Sequence, residues 1–109
     1  MSSLLYIVRR SPFMYSDLER AAELASMQKE AGNEVGIVLM QDSVLITTKK
    51  SEKSKMLEEI MANGIDVYVI DADCKARGIS DVVLEGVNKV GYEKFIDLVM
   101  ENYEKTVSF

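Results

Sequence analysis

The sequence predicts an α/β domain of three layers, in which a mainly parallel sheet of four to five strands has helices on both faces. Short apolar runs alternate with segments whose apolar residues recur every three or four positions. The first three runs are almost continuously apolar, as in strands that are covered on both faces. The 109 residues suffice for one core of ordinary size, so we expect a single domain over 1–109.

The predicted strands are short apolar runs. They are LLYIV (4–8), VGIVLM (35–40), IDVYVI (65–70) and the weaker VNKV (87–90). A helix that crosses a bilayer needs ~20 apolar residues, and no apolar run in this sequence approaches that length. We therefore expect no membrane role.

The first predicted helix lies between the first two strands. Ser16, with Glu19 three residues later, has the pattern of a capping box, and Gly32 is typical of the residue that follows a helix. The residues expected to face the sheet are Leu18, Ala21, Ala22 and Ala25.

Two further helices have an apolar side. One is predicted from about Ser51 or Ser54 to Asn63, where Gly64 follows, and the last from about Gly91 to Tyr103. The residues expected to face the core are Met56, Leu57, Ile60 and Met61 in the former, and Phe95, Ile96 and Val99 in the latter, with Tyr92 and Tyr103 extending that stripe.

The stretch SVLITTKKSEKSK (43–55) has no clear period. Its first half fits a short helix or a strand. Its four lysines favour a solvated loop, and the alternative is a docking patch for an acidic partner.

Several common α/β chemistries lack the residues that they require. No G-x-G-x-x-G or G-x-x-x-x-G-K-[ST] motif is present to bind nucleotide phosphates. Without histidine, Ser-His-Asp and Cys-His arrangements are excluded, and one cysteine is a poor basis for a zinc site. Arg9 and Arg10 stand where a receiver domain would need acidic residues for Mg²⁺. We expect no cofactor and no metal.

The net charge and the single cysteine indicate which partners and which cellular compartment to expect. Thirteen Lys and Arg against eighteen Asp and Glu give a net charge of −5, which repels phosphate backbones, so direct binding to nucleic acid is not expected. One cysteine cannot form an internal disulfide, and MSSLLYIVRRS lacks the pattern of a signal peptide. The sequence therefore predicts a cytoplasmic protein.

Open α/β sheets bind ligands in the crevice beyond the carboxyl ends of their strands. Three segments are expected to meet there: RRSPF (9–13), QDS (41–43) and DADCKARG (71–78). The candidate residues are Cys74 as the catalytic thiol, with Arg9, Arg10, Ser11, Asp42, Arg77 and Gly78 as binding residues.

Cys74 is predicted at or near the first turn of a short helix just past the third strand. In that position the helix dipole, Lys75 and Arg77 lower the pKa of a thiol. Asp71 and Asp73 raise it, and the sequence does not fix the net direction. The other interpretation is a structural cysteine, because free cysteine is among the most often buried residues.

The binding candidates also have structural interpretations. Arg77 can cap helix carbonyls or pair with Asp73. Gly78 is expected to take a positive φ that ends the turn, and Asp42 can cap the segment after the second strand. The two arginines after the first strand can be ordinary surface charges.

Four stretches resemble the DsrE/DsrF/DsrH superfamily of sulfur-relay proteins, with the DsrH/TusB-like branch nearest. They are RRSPF after the first strand, VLMQDSV at the end of the second, VYVIDADCKARGI around the third and GYEKFIDLVMEN in the last helix. The resemblance covers most of the chain. It implies homo-oligomers, or hetero-oligomers with sister DsrE/DsrF-like subunits.

The resemblance also implies a relay in which a cysteine persulfide carries sulfur between donor and acceptor proteins, toward wobble-uridine thiolation in tRNA or within sulfur oxidation. Cys74 is then the candidate persulfide carrier, and the arginines named above are candidate stabilisers of the sulfur anion. Ile70 and Asp71 stand at the place of the carrier cysteine of the DsrE branch. The alternative is a non-catalytic oligomerisation or scaffold subunit with a structural cysteine.

Overall fold

The computed structural model describes residues 2–49 and 53–109. Five strands form one sheet in the order β4-β3-β2-β1-β5, with every neighbouring pair parallel. This confirms the predicted mainly parallel sheet. The strands are β1 Ser3–Val8, β2 Glu34–Leu39, β3 Asp66–Ile70, β4 Asn88–Val90 and β5 Lys105–Ser108.

Helices cover both faces of the sheet, so the three-layer class is confirmed. Among the residues that the structure describes, no helix combines the length and the apolar character needed to span a membrane. The α-helices are α1 Asp17–Glu30, α2 Ser54–Ala62, α3 Asp71–Ala76 and α4 Tyr92–Asp97, with 3₁₀ turns at Gln41–Thr47 and Ser80–Val82 and a π turn at Leu98–Asn102.

Side chains of β1 alternate between two apolar clusters, one on each face of the sheet. Leu4, Tyr6 and Val8 pack with α1, α2 and α3 in the larger cluster. Leu5 and Ile7 pack in the smaller cluster, under the last helix. Because successive residues of a strand point to opposite faces, a strand covered on both sides has to be apolar throughout, which explains the continuous run LLYIV.

The predicted core faces of the first two helices are confirmed. α1 ends just before Gly32 and α2 just before Gly64, and α2 begins at Ser54, the later of its two predicted starts. The earlier start, Ser51, lies outside the described residues. The core residues Leu18, Ala21, Ala25, Leu57 and Ile60 are buried, and Ala22, Met56 and Met61 are partly buried.

The predicted capping box at the start of α1 is wrong. The side chain of Ser16 makes no capping hydrogen bond. Glu19 Oε1 instead accepts a hydrogen bond from Lys53 Nζ at 2.7 Å, and the same ammonium donates to the Pro12 carbonyl at 2.5 Å. A cation from a distant part of the chain therefore replaces the backbone N–H as the partner of Glu19.

The first half of the stretch 43–55 forms part of the 3₁₀ turn Gln41–Thr47, one of its two predicted forms. Val44 and Ile46 are fully buried there. Residues 50–52 of the lysine-rich half lie outside the described residues.

The last predicted helix is divided into α4 and the π turn that follows it. Leu98 and Tyr103 are buried, and Phe95 and Val99 pack against the smaller cluster. Tyr92 and Ile96 are 52% and 56% exposed, contrary to prediction. The predicted stripe combined residues from two sides of the helix, and only the side with Phe95 and Val99 faces the sheet.

β5 is not predicted by the sequence. Its residues KTVS are exposed along their whole length and contain no apolar run. Pairing with β1, from Leu4 opposite Lys105 to Ile7 opposite Ser108, defines the strand. The pairing with β1 therefore forms this edge strand, although its own sequence has no strand-forming pattern.

Tyr103 lies directly over Gly36 of β2. A Cβ atom on Gly36 would come 2.8 Å from Tyr103 Cζ and closer still to the hydroxyl oxygen. Burial, followed by a hydrogen bond with Tyr68, raises the pKa of Tyr103 above its ordinary value. Gly36 thus allows the end of the last helix to approach the sheet closely.

We expect Gly36→Ala to lower the free energy of unfolding by about 2 kcal/mol or more, because the new methyl group overlaps the Tyr103 ring. Urea unfolding measures this change. The control is Gly91→Ala, where a Cβ would meet no atom within 4 Å and φ is −84°. Equal stability of the two variants would contradict the close approach.

Candidate functional site

The three segments predicted to meet beyond the carboxyl ends of the strands are joined by hydrogen bonds. The Ser43 N–H donates to the Arg9 carbonyl at 3.2 Å, which links 41–43 to 9–13. The Gln41 N–H donates to Asp73 Oδ2 at 2.8 Å, which links 41–43 to the helix α3. This part of the prediction is confirmed.

Arg77 holds the loop after β2 against α3. Its Nε and Nη2 donate to Asp42 Oδ1 at 3.2 and 2.9 Å, and its Nη1 donates to the Asp73 carbonyl at 3.1 Å. The predicted carbonyl-capping role of Arg77 is confirmed, and its guanidinium also lies 3.8 Å from the Asp73 carboxylate. The capping role predicted for Asp42 is wrong, because Met40 precedes the 3₁₀ turn and the carboxylate pairs with Arg77.

Gln41 has a φ of 53°, in the left-handed region that residues other than glycine rarely adopt. Its hydrogen bond to Asp73 holds it there. The sequence does not predict this residue, since glutamine carries no local preference for that conformation. Strained backbone of this kind persists only where surrounding contacts fix it, and here α3 supplies the contact.

Gly78 ends α3 with a φ of 68°, as predicted. The turn lets the Ile79 N–H donate to the Cys74 carbonyl at 3.0 Å, and the Arg77 N–H donates to the same oxygen at 3.2 Å. The backbone after α3 therefore folds back onto the helix at Cys74.

Cys74 lies within α3, directly past β3, where the sequence predicts it. The expectation that the Cys74 thiol lies in the crevice is wrong, because the residue is 0% exposed and belongs to the larger apolar cluster. The helix α3 is six residues long, and it turns the side chain of Cys74 toward the sheet and away from the crevice.

The pKa of the Cys74 thiol is raised above its ordinary value. Burial is the largest cause, and the negative charges of Asp71 and Asp73 act in the same direction. Lys89 and Arg77 lower the pKa by less. The thiol is therefore protonated at neutral pH, which makes it a weak nucleophile.

Arg9, Arg10 and Ser11 take part in the loop between β1 and α1. Arg9 Nε and Nη2 donate to the Phe109 carbonyl at 3.3 and 3.1 Å. Ser11 Oγ accepts from the Phe13 N–H at 3.3 Å. The charged groups that shift the pKa of the thiol lie elsewhere, so the structure does not support these arginines as partners of the sulfur atom.

Asp17, at the start of α1, is a buried acid that the sequence does not predict. Its side chain is 3% exposed and accepts two hydrogen bonds from Arg10, at 2.7 and 2.8 Å, and one from Arg20 at 3.2 Å. These bonds hold the pKa of Asp17 below its ordinary value against the opposing effect of burial. No local signal identifies it, because an acid in a first turn is already explained by the helix dipole.

We expect Asp17→Asn to lower the free energy of unfolding by about 1–2 kcal/mol at pH 7, because two guanidinium groups lose their buried anion. A depressed folded-state pKa contributes stability above the unfolded pKa of about 3.9 and loses it as the pH falls. The difference from wild type should therefore shrink below about pH 4 in urea unfolding. The control is Asp81→Asn at an exposed position, and a pH-independent loss at Asp17 would contradict the ion pair.

Comparison with known proteins gives near-full-length relatives. Protein TusB from Buchnera aphidicola subsp. Baizongia pistaciae is 29% identical over 102 residues, which cover 94% of this chain and 97% of the relative. Protein TusB from Yersinia pestis is 28% identical with the same coverage.

Solved structures of similar fold agree with the architecture. The ychN protein from E. coli has a TM-score of 0.89 at 19% identity and covers 100% of both chains. A conserved protein of unknown function from Bacteroides thetaiotaomicron has a TM-score of 0.78 at 18% identity, with 97% of this chain and 94% of that one covered. At these identities the likeness shows the fold alone.

A family model described as DsrH like protein matches residues 10–105, which include the segments 41–43 and 71–78 and all of the segment 9–13 except Arg9. The chain belongs to the DsrH-like family.

Proposed function

We propose that this chain is a cytoplasmic subunit of a sulfur relay that serves thiolation of the wobble uridine in tRNA. Membership in the DsrH-like family and near-full-length similarity to two proteins named TusB support this role. The resemblance in sequence favours tRNA thiolation over sulfur oxidation, because those relatives belong to the TusB-like side of the superfamily.

Within the relay, we propose that the chain acts as a scaffold that positions sister subunits. The burial of Cys74 is the observation that carries this choice. In persulfide transfer, a thiolate attacks the terminal sulfur of a donor persulfide, a new S–S bond forms, and the donor cysteine leaves as a thiolate. Such a step needs an accessible, ionised sulfur, whereas Cys74 is enclosed and its pKa is raised.

The contacts around Arg77 suit a scaffold. The guanidinium ties Asp42 to α3, and Asp73 fixes the backbone of Gln41. A crevice whose loops are held in this way presents one fixed surface to a partner, which reduces the entropy lost on binding.

We expect the native Cys74 thiol to react with iodoacetamide on the order of 100-fold more slowly than in denaturant, because reaction requires local opening. Native protein treated with a polysulfide should gain no sulfur, which would add about 32 mass units. Mass spectrometry at pH 7.5, with the urea-unfolded protein as control, measures both. Native modification at the rate of a free thiol would return Cys74 to the role of carrier.

We expect Cys74→Ala to restore thiolated uridine as well as wild type does, in a bacterium that lacks its own subunit of this kind. Mass spectrometry of tRNA nucleosides measures the product, and immunoblotting checks the protein level. Cys74→Val serves as a second variant if the alanine leaves a harmful cavity. Loss of product with both variants at normal level would overturn the scaffold role, and failure of wild type would overturn the relay role itself.

A further inference from the structure

The part of the chain that contains α3 buries few apolar side chains. It lies between the end of β3 and the buried Leu84, and we refer to residues 71–83 as the α3 segment. The structure describes all of these residues, and among them Cys74 alone is buried, while Ile79 and Val83 are partly buried. A helix of six residues is not stable by itself in water, and one small buried side chain adds little hydrophobic stabilisation.

Polar contacts with the loop after β2 provide much of the remaining attachment. The Gln41 N–H donates to Asp73 Oδ2 at 2.8 Å, and the Arg77 guanidinium donates to Asp42 Oδ1 at 3.2 and 2.9 Å. The Asp42 side chain is 61% exposed, and ion pairs in contact with water contribute little to stability. These contacts can therefore break at a small cost in free energy.

Other polar contacts of the α3 segment lie within it. Ser80 Oγ donates to Asp71 Oδ1 at 3.0 Å, and Lys75 Nζ lies 3.1 Å from Asp71 Oδ2. Both contacts join residues of the same segment, so they are kept when the segment moves as a unit. Lys89 of β4 donates to the Ser80 carbonyl at 3.2 Å, and this hydrogen bond is exposed to solvent.

The strain at Gln41 favours release of the α3 segment. The φ of Gln41 is 53°, and the hydrogen bond to Asp73 holds the residue in that conformation. Later residues of the same 3₁₀ turn, Val44 and Ile46, are fully buried and anchor the turn to the core. When Asp73 moves away, Gln41 can return to an ordinary backbone conformation while the rest of the turn stays in place.

We infer that the α3 segment is a lid on the carboxyl edge of the sheet, and that it opens by itself while the sheet remains folded. Asp73 and Arg77 hold the lid closed, and the strain at Gln41 opposes them. Opening exposes Cys74, which then reports the open state. The closed state is the major one, and we expect the open state in on the order of 1% of molecules.

The lid gives the carboxyl edge two arrangements. In the closed state, the Gln41 backbone and the Asp42 carboxylate are fixed by α3, and in the open state both are released. A partner that binds the closed edge must therefore reduce opening, and with it the exposure of Cys74. This inference goes beyond the proposed function, because it holds with or without a role in sulfur relay. The amount of thiolated uridine in cells does not test it.

The rate at which iodoacetamide alkylates Cys74 measures the population of the open state, because alkylation is slow compared with closing of a short segment. The rate is measured at neutral pH over a range of low urea concentrations and divided by the rate for the same protein unfolded in urea. Opening of the lid exposes little surface, so the rate should hardly change at low urea. Reaction through global unfolding would instead rise with the full urea dependence of the unfolding transition.

Gln41→Gly tests the strain. Glycine adopts a positive φ at no steric cost, so the closed state becomes more favourable and alkylation should be about fivefold slower. The matched control is Gln41→Ala, which removes the same side chain but keeps the Cβ atom and the strain. Its rate should stay within about twofold of wild type. The groups that shift the pKa of the thiol are unchanged in both variants.

Asp42→Ala tests the contact with Arg77. Loss of this partner should make alkylation about threefold faster. Glu58→Ala, at an exposed position on α2, removes one negative charge elsewhere and should react as wild type does. Circular dichroism checks the fold of each variant. Equal rates for the two Gln41 variants, an unchanged rate for Asp42→Ala, or a wild-type rate that follows global unfolding would overturn the lid.

Discussion

The burial of both faces of the central strands is the constraint on which the rest of the structure depends. Parallel neighbours cannot be joined by a tight turn, so each strand returns through a crossover and all strands end at the same edge. This brings the segments 9–13, 41–43 and 71–78 side by side, where hydrogen bonds join them. The same geometry turns α3 back toward the sheet, which puts the middle of that helix inside the domain.

The position of Cys74 follows from that layering. Two cations close in sequence do not produce a reactive thiol when burial and two carboxylates raise its pKa. Arg77 is directed to Asp42 and to the Asp73 carbonyl, so its guanidinium serves the loop and not the sulfur atom. The strain at Gln41 belongs to the same arrangement. The contacts at this edge of the sheet therefore fix a surface and do not activate the Cys74 thiol.

Much of the fold is predictable because continuous apolar runs and helical spacing are local signals. The first three strands, α1 and α2 carry them. The unpredicted features depend on partners distant in sequence. β5 is exposed and is defined by β1, Glu19 pairs with Lys53, and the burial of Cys74 requires the sheet and the turn after β2. Topology predicts that three loops meet at the carboxyl ends of the strands. It does not predict which partners their side chains find there.

The pairing of β1 with β5 joins segments about 100 residues apart, and Arg9 spans the same separation to reach Phe109. During synthesis, β1 leaves the ribosome early and finds β2 soon afterwards. Its other edge has no strand to pair with until residues 105–108 are made. Unpaired strand edges are templates for association between chains, so nascent copies on neighbouring ribosomes are exposed to mispairing through β1 until translation has reached the last strand.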